Sequence, residues 1–128
     1  MTDSPKLHQE VLDWVRKEFK EIFEKSGQAI YVYVCERHKL CNKKFSSMLG
    51  YSSPEEWAKA EAVLSDAKES DQRIIISAYR NAMEKKIGSS FNISWKNRKT
   101  GKIIKTNVIL VPLSYKGQLF ALHFITIL

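Results

Sequence analysis

Three groups of residues in this chain could do chemistry. The first is Cys35-Glu36-Arg37-His38-Lys39-Leu40-Cys41, a Cys-x2-His-x2-Cys spacing that offers soft donors to a transition metal. A structural zinc site needs four ligands folded onto one point, and this run supplies three along a hairpin, so a plain turn without metal is expected. The second is His123, which alternates with Leu119, Ala121, Ile125 and Ile127 on one strand face. An imidazole on an apolar strand usually serves as a hydrogen-bonded core or pocket-rim residue. The third is the set of hydroxyls and acids. Ser46-Ser47 has no histidine base in its helical neighbourhood, and Asp66, Glu69 and Asp71 read as surface acids beside helix caps. No Gly-x-Ser-x-Gly, phosphate loop or His-Glu-x-x-His occurs, so no catalytic residue is assigned and no enzyme is expected.

Those side chains ride on elements defined by period and punctuation. Leu7, Val11, Trp14, Val15, Phe19, Ile22 and Phe23 form the apolar stripe of one helix over 6–25, begun by Ser4-Pro5. A stripe this apolar must dock, and Leu7, Val11, Trp14, Val15, Phe19 and Ile22 are expected to meet a second copy in a homodimer. Alternation then predicts a strand over 28–34, a turn at 36–39 and a short strand at Leu40-Cys41. Asn42 is placed to cap a helix carrying Phe45, Met48 and Leu49 on one face, with Gly50 ending it. As a simple cap, Asn42 should tolerate aspartate far better than alanine.

Ser53-Pro54-Glu55-Glu56 is a capping box with proline at the first helical position. Residues 61–69 read as an irregular or short helical connector. Ser70 or Asp71 should cap a helix to about Lys86 that buries Ile75, Tyr79, Ala82 and Met83, with Gly88 as its stop. Alternating segments at 90–96, 103–113 and 119–128 make a three-stranded meander, with Pro112 near a strand end or edge.

The formal net charge of +7 is scattered over helix faces and turns and comes with no binding motif, so a nucleic-acid role is only a weak alternative. No apolar run reaches the ~20 residues of a membrane span. The N-terminus lacks a signal-peptide plan and two cysteines make no disulfide scaffold, which together point to a cytoplasmic protein.

The asparagine-led helix, closed by Gly50-Tyr51 and followed by Ser53-Pro54-Glu55-Glu56-Trp57, resembles the corresponding segment of PAS domains. The order of elements over 27–128 is similar to theirs as well, and residues 1–26 resemble the cap helix that precedes them. Departures are Thr100 for the acid of the family's basic-Asp-Gly turn, no glycine at 36–39, and no aspartate before Thr126. The resemblance implies an α+β fold in which a five-stranded antiparallel sheet carries short helices on one face and encloses a pocket. It also implies a sensory and interaction module, acting in signal transduction or transcriptional regulation through self-association or a signalling partner in trans.

Flavin photochemistry is not expected, because Asn42 is followed by Lys43-Lys44 and not by the Cys-Arg of photoactive relatives. Haem is not expected either, because residues 71–86 contain no histidine. Pocket candidates are Tyr31 or Tyr33 (Tyr33 is retained), Asn42, Phe45, Met48, Trp57, Tyr79, Met83, Phe91, Ile93, Trp95 and His123, with Asn92 and Asn107 as further polar groups. Such a lining suits a small apolar or aromatic ligand, unless the aromatics fill the space themselves. The runner-up is a small isomerase-like enzyme of the α+β cone kind, which would need a buried carboxylate facing the cavity.

Overall fold

Residues 4–61 and 63–128 are described by a computed structural model. The strands are β1 (Ala29–Cys35), β2 (His38–Cys41), β3 (Ser89–Lys96), β4 (Ile103–Tyr115) and β5 (Gln118–Ile127). They form one antiparallel sheet in the order β2-β1-β5-β4-β3. The helices are α1 (Pro5–Glu18), α2 (Lys20–Lys25), α3 (Lys43–Leu49), α4 (Pro54–Lys59) and α5 (Gln72–Lys85), with 3-10 turns at Val63–Asp66 and Glu69–Asp71. The architecture is α+β, with α3, α4 and α5 on the inner face of the sheet and α1 on the outer face.

Period-2 alternation explains how one sheet serves two cores. On β1, Ile30, Val32 and Val34 point outward, and β5 adds Phe120 and Leu122. Val11 and Val15 of α1 pack on these side chains and are both fully buried. The expectation that Val11 and Val15 face a second copy is therefore corrected, because the helix caps its own sheet. Trp14 stacks on Tyr115 at 4.8 Å and meets Phe120 edge-on at 6.4 Å. Leu7 and Phe19 are half-buried, and Ile22 stays exposed. The single helix expected over 6–25 is two helices broken at Phe19, with no glycine or proline at the break. Trp14→Ala should cost about 3 kcal/mol in urea unfolding, the low end of the range for a large aromatic because Trp14 is only partly buried. A loss typical of a surface site would mean that α1 is not docked.

The inner helices are set by local caps and then pinned from afar. Asn42 caps α3, and Gly50 closes it with φ 86°. A Cβ at Gly50 would lie 2.6 Å from Asn97 Oδ1, so both the backbone and the space require glycine there. The last carbonyls of α3 are satisfied by the β3–β4 turn, where Asn97 Nδ2 donates to Met48 O and Arg98 N donates to Leu49 O. Ser53 caps α4 by accepting from Glu56 N, while Glu56 accepts from Ser52 N.

Two expected boundaries of α5 are revised. Asp71 does not cap it, because its Oδ2 accepts from Ser94 N of β3 at 2.7 Å. The helix stops at Lys86, which takes the left-handed conformation at φ 56°, and not at Gly88. Pro112 lies inside β4, but past Leu110, the last residue of β4 paired with β3, where the strand is locally an edge.

Candidate ligand cavity

The inner-facing side chains of the sheet leave a cavity of ≈170 Å³ under the short helices. Alternation puts both Tyr31 and Tyr33 of β1 on this face. His123 enters from β5 as the cross-strand partner of Tyr31, and Trp95 enters from β3. Phe45 of α3, Trp57 of α4, and Ile75, Ile76 and Tyr79 of α5 form the roof. Val63 and Leu64 of the connector close one side, and Glu36 sits at the β1–β2 turn.

The aromatic groups hold one another in place. The Tyr31 ring stacks on His123 at 3.8 Å and 7°, and on Phe45 at 4.6 Å. Tyr33 and Tyr79 meet edge-on at 5.4 Å. Lys39 steadies the mouth: it is buried, and its Nζ donates to the carbonyls of Glu36, Ala58 and Ala60, tying the β1–β2 turn to the end of α4. Three acceptors match the three donors of an ammonium, which makes its burial tolerable.

The cavity is uncharged apart from Glu36 at its edge. Burial pushes the His123 imidazole down to about 3, so the ring is neutral. Its Nδ1 lies 3.3 Å from Tyr31 O, and the Ala121 backbone is a second hydrogen-bond partner of the ring. Burial raises the Tyr31 and Tyr33 phenols, and the Glu36 carboxylate raises Tyr33 further. Both therefore stay protonated. Tyr33 donates to Glu36 Oε2 at 3.0 Å. The buried Trp57 indole N–H has no partner among the described residues.

Of the sequence candidates, Tyr33, Phe45, Trp57, Tyr79, Trp95 and His123 line this cavity, and Asn42, Met48, Met83 and Phe91 do not. Asn42 is structural. Its Oδ1 accepts from Ile30 N and Phe45 N, and its Nδ2 donates to Gln28 O at 3.0 Å. Met48 is buried in the core, and with Asn42 it borders a separate open recess. Met83 packs with the Ala78, Ala82, Leu110 and Ala121 cluster, and Phe91 is half-buried beside it. Ile93 is a buried core residue. Asn107 donates to Asn92 across the β3–β4 pair and not into the cavity.

Tyr31 was passed over and Val63, Leu64, Ile75, Ile76 and Glu36 were missed as lining residues. An apolar Val63-Leu64 pair inside an otherwise polar connector was the signal available for two of them.

Asp66 is also corrected. It is buried and accepts from Tyr51 OH at 2.6 Å, and burial raises its carboxyl above the usual range. Neither Asp66 nor Tyr51 lines the cavity. Cys41 packs into the inner core, its thiol pushed up to about 12 by burial, so Cys35, His38 and Cys41 do not converge.

No protein-family model matches the chain, and no curated protein matches it in sequence. Solved structures do match in fold, and they define the class. A PAS domain from a two-component sensor histidine kinase superposes with a TM-score of 0.65 at 16% identity, covering 91% of this chain and 99% of that one. The PAS domain of a Colwellia psychrerythraea protein gives 0.64 at 21% identity, covering 92% of this chain and 97% of that one. VqmA of Vibrio cholerae, a LuxR-type receptor, gives 0.69 at 9% identity, covering 88% of this chain and 51% of that one. VqmA bound to DPO gives 0.69 at 10% identity, covering 88% of this chain and 57% of that one. This chain thus spans about half the length of VqmA. Its fold is the PAS fold.

Proposed function

We propose that the chain is a cytoplasmic PAS-type sensory module, with residues 27–128 as the sensing unit and 1–26 as its cap. Its cavity takes a small, mostly apolar ligand the size of one ring. The carrying observation is an aromatic space of ≈170 Å³, close to the ~150 Å³ of an apolar protein cavity that holds benzene. Trp57, a lining residue, carries an N–H unpartnered among the described residues, which suits a ring bearing a polar atom. The solved PAS domain of a sensor histidine kinase and the structure of VqmA bound to DPO support the sensory reading by analogy of fold. The same size argues for a small ligand over haem or flavin.

Output passes to a second copy or a signalling partner over the part of the outer sheet face beyond α1, where Ile103 and Ile109 are exposed. Non-enzymatic function is favoured because Asp66, the buried, raised carboxyl among the described residues, lies away from the cavity.

Two of the three tryptophans, Trp57 and Trp95, line the cavity, so binding should change intrinsic fluorescence. Native mass spectrometry of protein from its own host, followed by titration with single-ring heteroaromatics, tests the reading. Ile76→Trp would plug the mouth from a position that is 42% exposed, and should abolish binding while changing stability by less than about 1 kcal/mol. Undiminished binding to that variant would place the ligand elsewhere.

A further inference from the structure

The β1–β2 turn supplies two donors three residues apart, Cys35 and His38, and the first turns of α1 bring a third, His8, from 27 positions away. Cys35 Sγ lies 3.5 Å from His8 Nδ1 and 3.3 Å from His38 Nδ1, and one donor atom from each of the three residues falls within 4.8 Å of the others. The two imidazole rings meet edge-on at 5.4 Å. In a tetrahedral zinc site with Zn–S about 2.3 Å and Zn–N about 2.1 Å, sulfur and nitrogen stand ~3.6 Å apart. Both observed S···N separations are close to the edge of that tetrahedron.

We propose that His8, Cys35 and His38 bind Zn²⁺, with a fourth position open to water or a small ligand. One thiolate and two imidazoles are a donor set that zinc favours, and three protein ligands with an open position are how reactive, not purely structural, zinc is held. The site opens into a recess that Gln118 also lines, and the Gln118 amide oxygen is buried without a partner among the described residues. The ion would clamp the start of α1 to the β1–β2 hairpin, whose Glu36 lies on the ligand cavity. Cys41 takes no part.

The test uses the full, untagged chain, stripped with chelator and titrated with Co²⁺ as a spectroscopic stand-in for zinc. Saturation at one equivalent is expected, with a thiolate-to-cobalt charge-transfer band and visible bands of tetrahedral intensity, all displaced by Zn²⁺. Cys35→Ser should remove the charge-transfer band. His8→Gln and His38→Gln should each weaken Zn²⁺ binding by more than about tenfold, the least that losing even an outer-shell contact costs. Because His8 is buried, His38→Gln on the more exposed turn serves if the first variant misfolds. Zn²⁺ should also raise the wild-type Tm and leave that of Cys35→Ser unchanged. A missing charge-transfer band in the wild type, or one that persists in Cys35→Ser, would overturn the site. So would undiminished affinity in His38→Gln.

Discussion

At pH 5 His123 is expected to make the protein about 2 kcal/mol less stable than at pH 7. The unfolded chain protonates this imidazole near 6.5, whereas burial against Tyr31 delays protonation of the folded chain to about 3. Between those values the unfolded state holds one more proton, so stability rises with pH across the window. It is fully present above 6.5 and is lost as pH falls toward 3, at about 1.4 kcal/mol per unit. His38, also lowered by burial, adds in the same direction. Asp66 opposes it, because a raised carboxyl stabilises below its unfolded value of 3.8 and loses that contribution as pH rises through its folded value. Comparing wild type with His123→Gln cancels both. The glutamine amide can keep the bond to Tyr31 O without titrating, so urea unfolding from pH 7 to 5 should show the variant losing about 2 kcal/mol less than wild type. Parallel pH profiles would mean that His123 is not buried as a neutral ring.

Asn42→Asp should be nearly as damaging as Asn42→Ala, each costing about 2–4 kcal/mol. Capping alone would set the alanine loss at ~1 kcal/mol and make aspartate nearly harmless. The asparagine does more than cap. Its oxygen serves two backbone N–H groups, Ile30 and Phe45, and its amide N–H satisfies Gln28 O. Alanine leaves all three unpaired in a site where residue 42 is 4% exposed. Aspartate keeps the acceptor but turns a carboxylate oxygen toward the Gln28 carbonyl, exchanging a hydrogen bond for repulsion. Equilibrium unfolding of the two variants decides the matter. An aspartate variant within about 0.5 kcal/mol of wild type would show that the Gln28 bond contributes nothing.

The local layer of this protein was legible because its causes are local. Asn42, Gly50 and Ser53 act on backbone groups within a few residues, so spacing alone places the start and stop of α3 and the start of α4. Alternation likewise sorts β1 into an inner and an outer face and puts His123 opposite the outward Phe120 and Leu122. Six of the ten pocket candidates line the cavity, and all six carry rings on the inner face of an element.

Period identifies a face but not the object it meets. Val11 and Val15 were recognised as docking residues, yet only the folded chain shows that their partners are Ile30, Val32 and Phe120 and not a second copy. The break at Phe19 and the left-handed Lys86 carry no glycine or proline signal. Asp66 reads as solvated until Tyr51, fifteen residues away, reaches its carboxylate. His8 and Cys35 are separated by 27 positions, and nothing in either neighbourhood marks them as a pair until α1 docks on the sheet. The sequence by itself determined where helices and strands begin and which side of each is apolar, through contacts spanning three or four residues. The tertiary structure decided which side chains share a cavity or a metal-sized cluster, because those contacts form only when segments distant along the chain are closed onto one another.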